Sequence, residues 1–278
     1  MVVLVTGASG QLGQALQFIQ LKYTEIQFIF ASSQDLDITN EEKVISFFEN
    51  NTVDFCINAA AYTAVDKAET ETEKAFQVNV IGPGNLAKVC QKKGATLIHI
   101  STDFVFDGSA KTPYLETATT NPLGVYGKTK LDGEKEVIQN CIQHFIIRTS
   151  WVYSQFGNNF MKTMLRLAQD RNSLNVVNDQ IGSPTNAVDL AEVILQMIES
   201  PKNYGIYNFS NEGSCSWFDF AKEIFRVNNI AITLNPIPSE DYPTPAKRPQ
   251  YSVLDKSKIK AIFDINIKSW QESLLQTI

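Results

Sequence analysis

Residues 2–13 read VVLVTGASGQLG. The run VVLVT carries no polar alternation, so it reads as a short strand buried on both faces rather than one with a wet side. It stops at Gly7, and Gly7, Gly10 and Gly13 form G-x-x-G-x-x-G. Leu12, Ala15, Leu16 and Ile19 then recur at helical spacing and predict a helix over 11–22. Glycines in such a turn let the backbone approach a pyrophosphate, and the helix behind it points its N-terminus at the negative charge. A glycine-rich turn without a ligand has the same local pattern. Its place, directly after a first buried strand, favours dinucleotide binding.

Outward from this stretch, strand and helix alternate. IQFIF at 26–30 predicts a second strand, and Thr39 with Glu42 predicts a capping box opening a helix through about Glu49. VDFCIN at 53–58 predicts a third strand. Residues 70–93 predict a long helical segment, with Gly82-Pro83-Gly84 expected to kink or break it. ATLIHIS at 95–101, a helix over 124–140 and HFIIRTS at 144–150 complete the series. Alternation with fully apolar strands predicts an α/β fold, a doubly wound parallel sheet of Rossmann type. Residues 1–150 would form this NAD(P)-binding domain, with return segments near 183–210. Residues 151–278 would form a smaller, discontinuous substrate-binding lobe.

In such sheets ligands bind beyond the carboxyl ends of the strands. After the second strand the chain reads ASSQDLDI at 31–38. The acid that would hold a ribose 2′-hydroxyl is replaced by serine, and no arginine stands nearby for a 2′-phosphate. Asp37-Ile38 is better placed to border the adenine. Cofactor preference stays open between NADH and NADPH, leaning to NADPH because no carboxylate repels the extra phosphate. After the third strand, Ala59, Ala60 and Ala61 are small enough for a cofactor to lie against the backbone, although a tightly packed turn has the same composition. After the fourth come Ser101, Thr102 and Asp103, where capping of a turn competes with chemistry.

Tyr126 and Lys130 lie four apart on the helix over 124–140, hence on one face. Carbonyl reduction needs a hydride donor and an acid to protonate the developing alkoxide. A phenol titrates near pH 10, and an ammonium one turn away lowers that value and can also reach the nicotinamide ribose. Thr102 would hold the substrate oxygen. Gly127 would leave room for a nicotinamide or a sugar.

The 278 residues are 44% hydrophobic and 19% charged, which fits one large or two modest globular domains. A net charge of −6 provides no positive field for nucleic acid or an anionic membrane. The apolar run at the N-terminus ends at Val5, too short for a signal-peptide core, and no segment reaches membrane-spanning length. A soluble cytoplasmic protein is expected. Cys56, Cys90, Cys141 and Cys215 show no metal-ligand spacing and read as buried thiols.

GASGQLG, INAAAYTAVDKAE, VNVIGPGNLA, STDFVFDG and VYGKTKLDGE together resemble the extended short-chain dehydrogenase/reductase superfamily. RTSWVYSQFGNNF at 148–160, DQIGSPT at 179–185 and EDYPTPAKRPQYSVLD at 240–255 extend the likeness along nearly the whole chain. They narrow it to a sugar-nucleotide reductase branch. The resemblance implies NAD(P)H-dependent reduction of the C4 ketone of dTDP-4-dehydro-β-L-rhamnose to dTDP-L-rhamnose, the last step toward that polysaccharide precursor. It implies Tyr126 as acid/base, Lys130 as its partner and Thr102 as the hydroxyl. It implies cofactor contacts at Gly7, Ser9, Gly10, Gln11, Leu12, Asp37, Ile38, Ala60, Ala61, Tyr62, Tyr126 and Lys130. Thr102, Asp103 and Trp151 match positions that touch the sugar nucleotide. Some members bind magnesium at a dimer interface; no ligand positions are assigned here, and a homodimer is compatible with the resemblance.

The second half reads less regularly. Met161, Met164, Leu165 and Ala168 predict an amphipathic helix with core methionines. Residues 190–198 predict a buried helix, 205–210 a returning strand, and 217–228 a helix opened by Ser216. Arg248, in the proline-rich stretch 236–249, either belongs to a solvated loop or forks onto a nucleoside diphosphate. His99 and His144 read as packed core histidines. Two rivals share the superfamily pattern: another sugar-nucleotide 4-reductase or 4-epimerase, and a non-catalytic relative such as a methionine adenosyltransferase regulatory subunit.

Overall fold

The computed structural model describes residues 1–277. Its first half runs β1 (Val2–Thr6), α1 (Gln11–Ile19), β2 (Gln27–Ala31), α2 (Glu41–Asn50), β3 (Phe55–Asn58), the short α3 (Val65–Ala68) and α4 (Thr72–Phe76), α5 (Gly82–Lys93), β4 (Thr96–Thr102), α6 (Val125–Asn140) and β5 (His144–Thr149). The second half runs β6 (Val152–Tyr153), α7 (Phe160–Asp170), β7 (Ser173–Val177), β8 (Ile181–Gly182), β9 (Thr185–Asn186), α8 (Ala187–Glu199), β10 (Gly205–Asn208), β11 (Cys215–Ser216), α9 (Trp217–Val227), β12 (Thr233–Ile237), α10 (Ser257–Phe263) and α11 (Trp270–Leu275).

A parallel six-stranded sheet in the order β10-β5-β4-β3-β1-β2 is the spine of the molecule. The chain leaves β1 first toward β2 and then, through β3, toward the other edge, so the strand order reverses beside β1. Alternate residues of β1 explain why the run had no polar face. Val3 and Val5 pack under α1 and α8, with Leu12, Leu16, Ile19, Leu190 and Ile194. Leu4 points the other way, into a core with Val44, Phe48, Leu86 and Val137. Three of the four cysteines, Cys56, Cys90 and Cys141, lie in this second core, and all four thiols are free and buried.

Two local expectations shift. The cap of α2 is Asn40, whose side chain accepts from the Lys43 amide at 3.0 Å. Thr39 instead turns its hydroxyl onto Asp37 Oδ1 at 2.7 Å, because Asp37 needs that donor to close its own turn. Gly82-Pro83-Gly84 does not break the helix. Residues 77–81 widen into a π-helical turn, and α5 continues from Gly82 with φ −55° and ψ −54°. A proline cannot donate to the carbonyl four residues back and crowds it; a wider turn accommodates both effects.

The second half adds three two-stranded ladders, β6-β9, β7-β12 and β8-β11. A separate core there joins Met161 and Met164 of α7 to Phe220, Phe225, Trp270 and Cys215. Helix α9 opens with the full capping box between Ser216 and Asp219. β10 and α8 return to the main sheet. Among the described residues no helix is long and apolar enough to cross a membrane.

Candidate active site

The carboxyl ends of β1, β3, β4 and β5 open onto one edge of the sheet, and the loops there carry the residues in question. Gly7 has φ +69°, and a Cβ on it would lie 2.6 Å from the Ala60 backbone nitrogen. Only glycine lets the first turn sit against the Ala59–Ala61 turn. Gly10 begins α1 without a side-chain cap, and the first turn of α1 holds no acidic residue. Its first N–H groups are therefore free to meet a phosphate.

The side chains in this loop are committed elsewhere. Leu12 is buried in the core. Gln11 donates to Val152 O at 3.3 Å and accepts from Ser154 and Asn159 at 3.0 and 2.9 Å, tying the loop to the second half. Ser9 is exposed and offers its carbonyl to Gln14. Contacts from Gln11 and Leu12 to a dinucleotide would thus be backbone contacts. This cradle of glycine, free amides and small alanines fits a pyrophosphate-bearing cofactor.

Farther along the edge, Asp37 is half-buried in its turn and Ile38 is buried. Asn58 Oδ1 accepts from the Ala60 amide at 3.2 Å, and Asn79 from the π-helical turn accepts from the Tyr62 amide at 2.8 Å. The segment 60–62 is thus pinned at both ends by buried amides.

Thr102 ends β4, accepts from Phe104 N at 3.2 Å and donates to Asp103 Oδ1 at 3.0 Å. It is therefore both a cap and a member of the site. Asp103 is buried with Oδ2 unpartnered, and burial pushes its carboxyl up to about 6 against the pull of Ser252 and Thr102. Tyr126, on the first turn of α6, meets Phe104 edge-on at 5.5 Å. Burial pushes its phenol up to about 12, with Thr102 pulling down and Asp103 pushing up. Lys130 is 2% exposed; its Nζ donates to Ile100 O at 2.6 Å, and burial brings its ammonium down to about 8 while Glu134 opposes. Thr102, Asp103, Tyr126 and Lys130 thus share one corner of the sheet edge, and a base and an acid there titrate far from their ordinary values.

Trp151 follows β5 with φ +47°, rare for a bulky residue. Its indole stacks on Trp217 at 3.5 Å and 7° and covers Gly182. Arg248 forks onto Asp66, Nη2 to Oδ2 at 2.7 Å and Nη1 to Oδ1 at 3.0 Å. The proline-rich stretch is thereby strapped to α3, and the half-buried guanidinium is paired rather than free.

A family model for the RmlD substrate binding domain matches residues 1–278. The chain belongs to this family. It is 42% identical over 284 residues to a dTDP-4-dehydrorhamnose reductase of Aggregatibacter actinomycetemcomitans, covering 98% of this chain and 96% of that one. It is 41% identical to one of Escherichia coli strain K12, covering 98% and 95%. The crystal structure of a dTDP-4-dehydrorhamnose reductase from Clostridium acetobutylicum superposes with a TM-score of 0.96 at 46% identity, covering 100% of this chain and 98% of that one. One from Bacillus anthracis, in complex with NADP, has a TM-score of 0.96 at 40% identity, covering 99% and 98%.

Against that family background, some features depart from the sequence reading. Gly127 does not make room for a ligand: a Cβ there would lie 2.2 Å from Phe104 O, so the glycine seats α6 against the turn after β4. The phenol of Tyr126 is raised rather than lowered, because burial, with Asp103 adding to it, outweighs the one downward pull, from Thr102. Sequence reasoning missed Asn58, Asn79 and the buried pair Glu134 and Arg148, and it read Ser101 as a cap or a site hydroxyl rather than as their partner. Glu134 accepts from Arg148 Nε at 2.9 Å and Nη2 at 2.6 Å, and from Ser101 Oγ at 2.5 Å. A charged pair inside otherwise apolar strand and helix patterns was the one available signal. Among the described residues no three His, Cys, Asp or Glu side chains gather as a cation site.

Proposed function

We propose that the chain reduces the C4 ketone of dTDP-4-dehydro-β-L-rhamnose to dTDP-L-rhamnose, with NADPH as the hydride donor. The observation that carries this reading is the Thr102, Tyr126 and Lys130 corner, in a chain about 40% identical over nearly its full length to dTDP-4-dehydrorhamnose reductases. Residues 1–150, with the return segments near 183–210, hold the cofactor, and 151–278 hold the sugar nucleotide. The absence of an acid at the end of β2, and the NADP bound in the relative from Bacillus anthracis, support NADPH over NADH. Both reactants are charged nucleotides, which supports a cytoplasmic site for the reaction.

When bound, the nicotinamide supplies the hydride. Gly7, the amides that open α1, and Ala60 and Ala61 hold the dinucleotide backbone. Thr102 receives the ketone oxygen and polarises it. Tyr126 donates its proton as that oxygen becomes an alcohol. Lys130, as the ammonium, stabilises the phenolate left behind. Asp103 and Trp151 orient the sugar, with Trp151 braced by Trp217. Arg248 meets the pyrophosphate only after exchanging Asp66 for it.

The deciding assay follows NADPH and NADH consumption with dTDP-4-dehydrorhamnose beside other 4-keto sugar nucleotides. Turnover that prefers the rhamnose precursor is expected. A stronger preference for another keto sugar, or no consumption at all, would overturn the assignment.

A further inference from the structure

A line of buried polar groups runs from β1 to the site lysine. Thr6 Oγ1 donates to Asn58 Oδ1 at 2.8 Å, Asn58 Nδ2 stands 3.1 Å from His99 Nδ1, and His99 Nε2 stands 3.5 Å from Lys130 Nζ. Thr6, Asn58, His99 and Lys130 are all buried. The direction of this line follows from one backbone group. Ala60 N–H can only donate, and it donates to Asn58 Oδ1 at 3.2 Å. The other end of that amide is therefore the NH2, and it donates to His99 Nδ1. An imidazole that accepts at Nδ1 carries its single proton on Nε2, the atom that faces Lys130.

We infer that His99 is a positioning residue for the Tyr126–Lys130 couple: fixed as the Nε2–H tautomer by Asn58, it turns an N–H instead of a lone pair toward the lysine. An ammonium opposite an N–H donor has two protons competing for one gap, whereas an amine offers its lone pair to that N–H. The contact therefore favours the amine. The 3.5 Å spacing, longer than the 2.6 Å bond from the same nitrogen to Ile100 O, suits such a weak meeting.

The other groups facing the lysine are few. Glu134 on α6 favours the ammonium, but its oxygens are held by Arg148 and Ser101. Tyr126 lies one turn back with Asp103 beside it. His144 lies behind His99 on the neighbouring strand, and burial first, then Lys130 and His144, hold His99 neutral. Burial brings the ammonium down to about 8, with Glu134 opposing. The result is a lysine whose charge is set close to working pH instead of fixed.

The inference rests on Lys130 being the partner of Tyr126, and it can be read without turnover. The chain has two histidines, and they should carry opposite tautomers. His144 Nδ1 faces the Cys141 carbonyl at 2.5 Å and must donate to it, whereas His99 Nδ1 must accept. Long-range nitrogen–proton spectra of histidine-labelled protein, assigned with His144→Gln, should show one ring of each kind, and His99 should stay Nε2–H with or without NADPH. A His99 protonated on Nδ1 overturns the proposal.

The near-isosteric Asn58→Asp supplies the second arm. Its carboxylate accepts from Nδ1–H, so His99 should switch tautomer and give Lys130 a lone pair. The alkaline limb of the pH–rate profile should then move up by about one pH unit or more. A shifted limb without a tautomer switch, or a switch without a shift, also overturns it. An inactive protein with the expected spectra counts against the reductase reading alone.

Discussion

Lys130 and Glu134 sit one helical turn apart on α6, both buried, and their surroundings treat them in opposite ways. Glu134 receives two bonds from the Arg148 fork and one from Ser101. Lys130 has one carbonyl and a histidine that turns a proton toward it. The first charge is matched on every side and anchors α6 to β4 and β5. The second is left short, and burial brings its ammonium down to about 8. The same helix is thus rigid at its anchor and adjustable at its working end. Full satisfaction of a buried charge marks architecture; partial satisfaction marks chemistry.

The comparison breaks if the working end proves dispensable. Tyr126→Phe should fold, bind NADPH and lose roughly 10²–10⁴-fold in turnover, read by steady-state kinetics beside cofactor titration. Near-normal turnover would remove the acid from the scheme. At the anchor, Glu134→Gln leaves the Arg148 guanidinium buried without its counter-charge. It should cost about 3–5 kcal/mol, or roughly 5–10 °C in melting temperature, read by calorimetry. A loss under about 1 kcal/mol would mean the pair is not anchoring the helix.

The contrast sharpens with pH. The folded chain releases the Lys130 proton near pH 8, well before an unfolded lysine would near 10.5. Between those values the unfolded state holds more protons, so this group's contribution makes stability rise with pH, by up to roughly 3 kcal/mol. Buried tyrosines and cysteines act in the other direction over the same range. The quantity to measure is therefore the difference between wild type and Lys130→Met in urea unfolding from pH 7 to 10.5, and Lys130→Met should lose the rise. The smallest effect belongs to Ser101→Ala, which removes one of three bonds to Glu134 and should cost about 1 kcal/mol in the same unfolding experiment.

The sheet was legible because its signals are local. An unalternating run such as Val2–Thr6 has few other uses, and Gly7, Gly10 and Gly13 mark a turn by spacing alone. Tyr126 and Lys130 were legible for the same reason, four residues apart on one helix. Asn58, His99 and Thr6 were not. They lie 41 and 52 residues apart along the chain in the two bonds that join them, and no periodicity links them. His99 read as a packed core histidine, and it is packed; what it does depends on which of its nitrogens meets which neighbour. Arg248 was read as part of a solvated loop or as a fork onto a nucleoside diphosphate, because its partner Asp66 lies 182 residues away. The cap of α2 moved from Thr39 to Asn40 because Asp37 took the threonine hydroxyl, a competition that composition alone does not rank.

The four sealed thiols have a practical consequence. Cys56, Cys90 and Cys141 share the core between the main sheet and the α2, α5 and α6 layer, while Cys215 belongs to the core of the second half. A thiol reagent in excess reacts with each only as fast as its own surroundings open. The protein therefore carries its own breathing gauge, three dials on one layer and one on the other. Mass spectrometry can read them peptide by peptide, with no label added to the sequence.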